Sequence, residues 1–160
     1  MDRLWAPWRI GYIKQNKQNK KCIFCQSIKN PKKGYVIFKT KYSLAILNIF
    51  PYNNGHVILS PIRHINKPSQ LKKVEFIDLF KSLNKLTRLI DKVLKPDGYN
   101  IGINISKVAG AGIAGHLHIH IVPRWLGDTN FMPVIYETKV ISQSLDELYR
   151  QLKNAKSKDD

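Results

Sequence analysis

Between Gly115 and Arg124 the chain reads GHLHIHIVPR, with His116, His118 and His120 at every second position and Leu117, Ile119 and Ile121 filling the gaps. Strict alternation has a period of two, and the extended strand is the backbone form with that period. The segment is therefore expected to be a strand. Its aliphatic residues point into a core, and its imidazoles, roughly 7 Å apart, share the opposite, open face. A solvated sheet face normally carries mixed polar residues, so packing alone does not explain three histidines in register.

Other β-type runs stand at Tyr35–Thr40, Tyr42–Ile49 and His56–Pro61, with the turn formers PYNNG between the last two. They predict an antiparallel meander. Tyr99–Ser106 alternates and predicts a further strand. Between these runs, Leu71, Val74, Ile77, Phe80, Leu83, Ile90 and Val93 recur near helical spacing, and Phe76, Leu79, Leu86 and Leu89 widen the apolar stripe. That pattern predicts a long helix buried against the sheet. Ser69 is its expected N-cap, and KPDG (Lys95–Gly98) its stop. Ser144 and Glu147 have capping-box spacing and open a short C-terminal helix over 144–156. Residues 14–33 hold seven lysines and read as an exposed connection, interrupted by CIFC at Cys22–Cys25. The KSKDD tail is expected to fray. No repeat and no linker interrupts the chain. Strands, long helix, strands and short helix argue for one α+β domain over 1–160 with an antiparallel sheet.

The length of 160 residues suits one core, and 43% hydrophobic residues is a globular composition. No apolar run approaches the ~20 residues that cross a membrane. The first residues, MDRLWAPWRIGYIK, lack the apolar block of a signal peptide. The expectation is a soluble cytoplasmic protein with no membrane partner. The 27 Lys and Arg against 11 Asp and Glu give a net charge of +16, with no acidic residue between Asp2 and Glu75. Such a surface attracts polyanions, whether nucleic acid, anionic lipid or polyphosphate nucleotides. The plain alternative is a solvated lysine-rich face. Basic residues are not interleaved with exposed aromatics as in single-strand binders, which argues against a nucleic-acid module.

Two cysteines in a cytoplasmic chain do not suggest a structural disulfide. A C-x-x-C pair is redox-active or half of a zinc site. The βαβ pattern of a thioredoxin-like site is missing. A zinc site needs two more ligands, which must come from histidines. Alternating histidines on a strand can bind a catalytic metal, or one of them can act as a covalent nucleophile. The loop AGAGIAG (Ala109–Gly115) has three glycines in seven residues and can bring backbone N–H groups close to phosphate oxygens. Next to a histidine face in a basic protein, phosphate chemistry is the better reading. A neutral imidazole is nucleophilic near neutral pH, and its attack on phosphorus needs no catalytic metal if N–H donors hold the developing charge.

The run HLHIHIV resembles the histidine triad (HIT) family. CIFC, LNIFPYNNGHVILSPIRHI (Leu47–Ile65) and GINISKVAGAGIAGHLHIHIVPRW (Gly102–Trp125) are similar to its landmarks, in order, over residues 22–133. DRLWAPWR and GDTNFMPVI (Gly127–Ile135) resemble its prokaryotic diadenosine tetraphosphate phosphorylase, or ATP adenylyltransferase, branch. The resemblance implies a HIT-like fold: a five-stranded antiparallel sheet with one long and one short helix, after an N-terminal basic arm over 1–21. It implies a nucleotidyl transferase that cleaves dinucleoside polyphosphates. His118 would be the nucleophile at the α-phosphorus, giving an AMP–His118 intermediate that phosphate resolves to ADP. His120 would contact the phosphate and manage the leaving-group proton, with His56 packed beside the triad. Asn48 would hold the ribose, Gly112, Ile113 and Ala114 the phosphate path, and Asn104 a phosphate or backbone contact. Ile46 and Phe50 would flank the base or belong to the core. A structural zinc on Cys22, Cys25, His64 and His116, and a homodimer, are implied likewise. Some members lack the metal. A hydrolase or phosphoramidase that uses water is the alternative within the family. Several hydrolases have Asp where this chain has Asn48, and the fungal phosphorylases end their triad with Gln where it has His120. Arg124, Lys107 and the basic surface favour a phosphate acceptor.

Overall fold

The computed structural model describes residues 22–128 and 141–156. The basic arm 1–21, most of Gly127–Ile135 and the end of the KSKDD tail lie outside the described residues. Five strands form one antiparallel sheet: β1 (Val36–Lys39), β2 (Ser43–Leu47), β3 (Val57–Pro61), β4 (Gly98–Gly102) and β5 (Ile119–Arg124), in the order β1-β2-β3-β5-β4. β1, β2 and β3 are the expected meander, and β5 runs between β3 and β4, opposite Val57–Leu59 and Gly98–Gly102.

The expectation of one long and one short helix is incorrect. The described residues contain three: α1 (Ile23–Lys29), α2 (Lys73–Leu94) and α3 (Leu145–Lys156). α3 has 12 residues and is an ordinary helix by length. Its start matches the sequence, since the Glu147 N–H donates to Ser144 Oγ at 3.2 Å. α1 falls where an exposed connection was expected. Its seven residues are too few for a periodic signal. Tertiary contact holds it instead: Phe24 is fully buried, and Gly34 gives it room, because a Cβ there would collide with Ser27.

α2 starts later than expected. Pro68–Gln70 forms a 3₁₀ turn containing Ser69, and the N-cap is Lys72. Glu75 satisfies that end by accepting the Lys72 N–H at 2.8 Å. Its carboxylate also takes Arg63 at 2.8 and 2.7 Å, which holds it down at about 2 and pins the segment after β3 to α2. The helix ends at Lys95, in the left-handed region ahead of Pro96.

The sheet has two unlike faces. On one, Ala45, Leu47, Val57, Leu59, Ile119 and Ile121 meet Leu79, Leu86, Leu89 and Ile90 of α2 and Leu148 and Leu152 of α3. On the other, Leu44, Ile46 and Ile58 meet Phe24 of α1, with Val36 beside them. Only part of the apolar stripe of α2 reaches the sheet. Val74, Phe76, Ile77 and Phe80 stay exposed, because one sheet face covers only one side of a helix. Ile101, Ile103 and Ile105 are exposed along and beyond the edge strand β4, which ends at Gly102 rather than Ser106. No helix of the described residues is long and apolar enough to cross a membrane.

Candidate active site

β5 begins at Ile119, so only His120 lies in a paired strand, opposite Ile58 of β3. His118 and His116 precede it, outside the paired strand. Leu117, Ile119 and Ile121 are buried, as the alternation requires. The histidine face is not open, however. His116 is 1% exposed and His118 3%, both against Phe24, and only His120 is half-buried. α1 is the reason. The uncovered side of the group is its His120 end, where the Tyr52 ring stacks on His120 at 5.6 Å with the planes inclined by 25° and is itself exposed.

The β2–β3 hairpin brings Asn48 and His56 to that end. The Asn48 N–H donates to the His56 carbonyl at 3.0 Å. Gly55 closes the turn at φ 74°, where a side chain would strike Leu94. His56 is fully buried. Its Nδ1 accepts from the Tyr52 N–H at 3.0 Å and from Asn48 Nδ2 at 3.1 Å. A neutral imidazole carries one proton, so that of His56 is on Nε2, which donates to His120 Nδ1 at 2.9 Å. His120 therefore holds its own proton on Nε2. His118 is fixed the other way round, because its Nδ1–H donates to the His116 carbonyl at 2.8 Å. The lone pair of His118 is left on Nε2. Its ring meets His120 edge-on at 4.9 Å.

Electrostatics keeps these rings neutral. Burial, then the neighbouring His120 and His118, pushes His56 down to about 3. Burial and His118 push His120 down to about 4. Burial also lowers His118, against the opposing effect of the His116 carbonyl. At neutral pH the site therefore offers an unprotonated imidazole nitrogen beside an N–H donor.

A second group adjoins the first. One ligand atom each from Cys22, Cys25, His64 and His116 all lie within 4.8 Å of one another. His116 Nε2–H donates to the Pro61 carbonyl at 2.9 Å, so its Nδ1 lone pair faces Cys22 Sγ at 3.3 Å and Cys25 Sγ at 3.9 Å. His64 Nδ1 is 3.4 Å from Cys25 Sγ. A tetrahedral zinc with ordinary bond lengths sets sulfur–nitrogen edges of about 3.5 Å. The cluster fits a structural metal, and the carbonyl behind His116 is the outer partner such ligands use.

The other expected residues are placed less closely. Gly112, Ile113 and Ala114 form the turn ahead of His116, with Ile113 packed on the Phe24 cluster. Asn48 Oδ1 accepts the Phe50 N–H at 3.0 Å, which ties that side chain to its own hairpin. Asn104 lies beyond β4, and among the described residues no hydrogen bond joins it to the histidines. Ile46 is core, whereas Phe50 is exposed. Arg124 is occupied: Asp128 takes it at 2.6 and 2.8 Å and Asn100 at 2.7 Å. A groove of about 660 Å³ lies elsewhere, between α1, β1 and α3, and contains none of the histidines. Sequence reasoning missed Phe24 and Tyr52. The available signals were an aromatic inside CIFC and another in the turn before His56.

The HIT domain family model matches residues 29–125, and the chain belongs to the HIT family. It is 35% identical over 161 residues to a Mycobacterium tuberculosis protein named AP-4-A phosphorylase, covering 95% of this chain and 83% of that one. It is 35% identical over 108 residues to the asymmetrical bis(5'-nucleosyl)-tetraphosphatase of Schizosaccharomyces pombe, covering 68% of this chain and 59% of that one. Among solved structures, it resembles a zinc-bound histidine triad family protein from Mycobacterium smegmatis, with a TM-score of 0.70 and 25% identity over 86% of this chain and 94% of that one.

Proposed function

We propose that this chain is a nucleotidyl transferase that cleaves dinucleoside polyphosphates, with diadenosine tetraphosphate as a substrate, through an AMP–His118 intermediate resolved by phosphate to ADP. The observation that carries the reading is the hydrogen-bonding geometry of the two rings, from which their proton positions follow. His118 has its proton on Nδ1, held by the His116 carbonyl, and its lone pair on Nε2. His120, proton on Nε2, stands beside it. His118 Nε2 attacks the α-phosphorus, and the bond to the bridging oxygen breaks with its electrons on the departing ATP. The ring then carries positive charge, which the short Nδ1–H contact to the carbonyl stabilises. His120 Nε2–H donates to the phosphoryl or departing oxygen. A phosphate oxygen next displaces His118 from phosphorus, yielding ADP and the neutral ring. Splitting one displacement into two is the gain from the covalent step.

In this reading Asn48 contacts the ribose, and Asn104, Gly112, Ile113 and Ala114 line the phosphate path. The nucleotide enters at the His120 end. Cys22, Cys25, His64 and His116 would hold a structural zinc, which would cross-link α1 to the histidine segment and do no chemistry on the substrate. Two copies pair through the β4 edge and the exposed Val74, Phe76, Ile77 and Phe80 face of α2, which would cover those apolar side chains.

The decisive assay incubates the protein with diadenosine tetraphosphate, with and without inorganic phosphate. The expected products are ADP and ATP, formed only with phosphate. AMP and ATP without phosphate would make the protein a hydrolase. No turnover, with oligonucleotide binding that weakens steeply in salt, would make it a nucleic-acid binder.

A further inference from the structure

Phe24 stands between the two cysteines of the metal cluster and is fully buried. Its ring is centred 4.9 Å from that of His116 and 5.2 Å from that of His118, tilted 36° to the latter. The His120 ring meets the His118 ring edge-on at 4.9 Å, and the His118 Nδ1–H contact to the His116 carbonyl is 2.8 Å long. The carbonyl and the Phe24 ring both originate in the cluster. One is the backbone of a ligand, and the other is a side chain flanked by two ligands. We propose that Phe24 is a positioning residue for His118, and that metal occupancy at Cys22, Cys25, His64 and His116 sets the orientation of the nucleophile's ring through it. The proposal rests on His118 being the nucleophile.

Two physical points support this coupling. A seven-residue helix does not persist on its own, and α1 has no side-chain cap at Cys22. Its place depends on its neighbours, and ligation at Cys22 and Cys25 would fix its first turn, the turn that carries Phe24. The second point is the tolerance of the chemistry. An imidazole attacks phosphorus only along its Nε2 lone pair, and an error of about 1 Å in such an approach costs on the order of a hundredfold. A ring held at one nitrogen can still rock about that contact. A second contact on its face removes that freedom.

The test uses imidazole NMR of the full chain labelled with nitrogen-15 at histidine, alongside single-turnover adenylylation, AMP affinity and metal content. In the metal-loaded wild type, His118 is expected to show one tautomer with a slowly exchanging Nδ1 proton. Stripping the metal, or the substitution Phe24→Leu, is expected to give mixed tautomers and fast exchange. Phe24→Leu should retain its metal and bind AMP within about twofold, while adenylyl transfer falls about 10- to 100-fold. Phe24→Met, of similar volume, should recover part of that loss, and it carries the same measurements if the leucine variant does not fold. An unchanged His118 signal in both the stripped protein and Phe24→Leu would overturn the proposal. So would loss of the metal from Phe24→Leu, which would make the ring only part of the metal's scaffold. If the wild type forms no adduct, the nucleophile reading fails, and the tautomer measurement still decides whether metal and Phe24 orient the ring.

Discussion

The two faces of the sheet are built from different materials. Under α2 and α3 the contact is hydrocarbon, contributed by all the strands from β1 to β3 and by β5. Under α1 the hydrocarbon patch is small, and the buried set beside it includes His56, His116 and His118. Apolar burial contributes stability in proportion to area and asks little of geometry. Buried imidazoles contribute little stability and demand that every nitrogen find a partner. One face therefore holds the fold together and the other sets proton positions. The faces meet along β5, whose Ile119 and Ile121 belong to the first while His120 belongs to the second.

Substitutions on the two faces should fail in different ways, and the largest effect belongs to the histidine face. His118→Ala is expected to abolish the adenylyl adduct and lower turnover per folded molecule by at least about 10³-fold. Leu86→Ala, on the hydrocarbon face, should cost about 2–5 kcal/mol of stability while the folded fraction keeps its turnover per molecule. Mass spectrometry and urea titration of the two variants provide the check. An adduct persisting in His118→Ala would move the nucleophile elsewhere. A catalytic defect in folded Leu86→Ala would show that the two faces are not separable.

The hydrocarbon face was the more legible in sequence, because periodicity reports burial. The period of two over Leu117–Ile121 and the helical spacing through Leu79, Leu86 and Ile90 correctly named buried residues. Periodicity does not report which side of a doubly apolar helix is covered, so Phe76 and Phe80 were expected in the core and are exposed. The histidine face was legible as chemistry, not as architecture. Family landmarks pointed to Cys22, Cys25, His64 and His116, which do converge. The helix that carries Cys25 is shorter than two helical periods, and it buries His118 as well. The contacts of Tyr52 and Asn48 to His56 depend on a turn conformation that residue types alone do not specify.

Acid should separate the faces next, with an intermediate effect. His56 titrates at about 3 in the folded chain, whereas an unfolded histidine titrates near 6.5. Between those values the unfolded chain binds a proton that the folded chain refuses. Stability is therefore full above pH 6.5 and falls as the pH drops toward the folded value. At pH 5 the loss from His56 alone is about 2 kcal/mol, and His120, lowered in the same sense, adds to it. Urea midpoints at pH 7.5 and 5 measure this, and His56→Gln should flatten the dependence. Glu75, held at about 2, stays ionised in the folded chain throughout and contributes little in this window, because the unfolded carboxyl only begins to protonate at its lower end. A midpoint unchanged between the two pH values would mean that His56 is hydrated.

The smallest effect tests whether the histidine face tolerates an idle polar group. Ser60 is fully buried on β3, in register with Leu44 of β2, and its Oγ is the one fully buried side-chain polar atom without a hydrogen-bond partner among the described residues. It shares the side of the strand with Ile58, the side of the histidines rather than of α2. A hydroxyl taken out of water without a partner costs about 1–3 kcal/mol, and removing it leaves a cavity smaller than a methyl group. Ser60→Ala is therefore expected to leave the urea midpoint unchanged or raise stability by up to about 1 kcal/mol, with turnover unaltered. A loss of stability would show that the hydroxyl is engaged in solution. A loss of turnover at unchanged stability would make Ser60 a third anchor of the triad, and the polar side of the sheet would then contain no idle group at all.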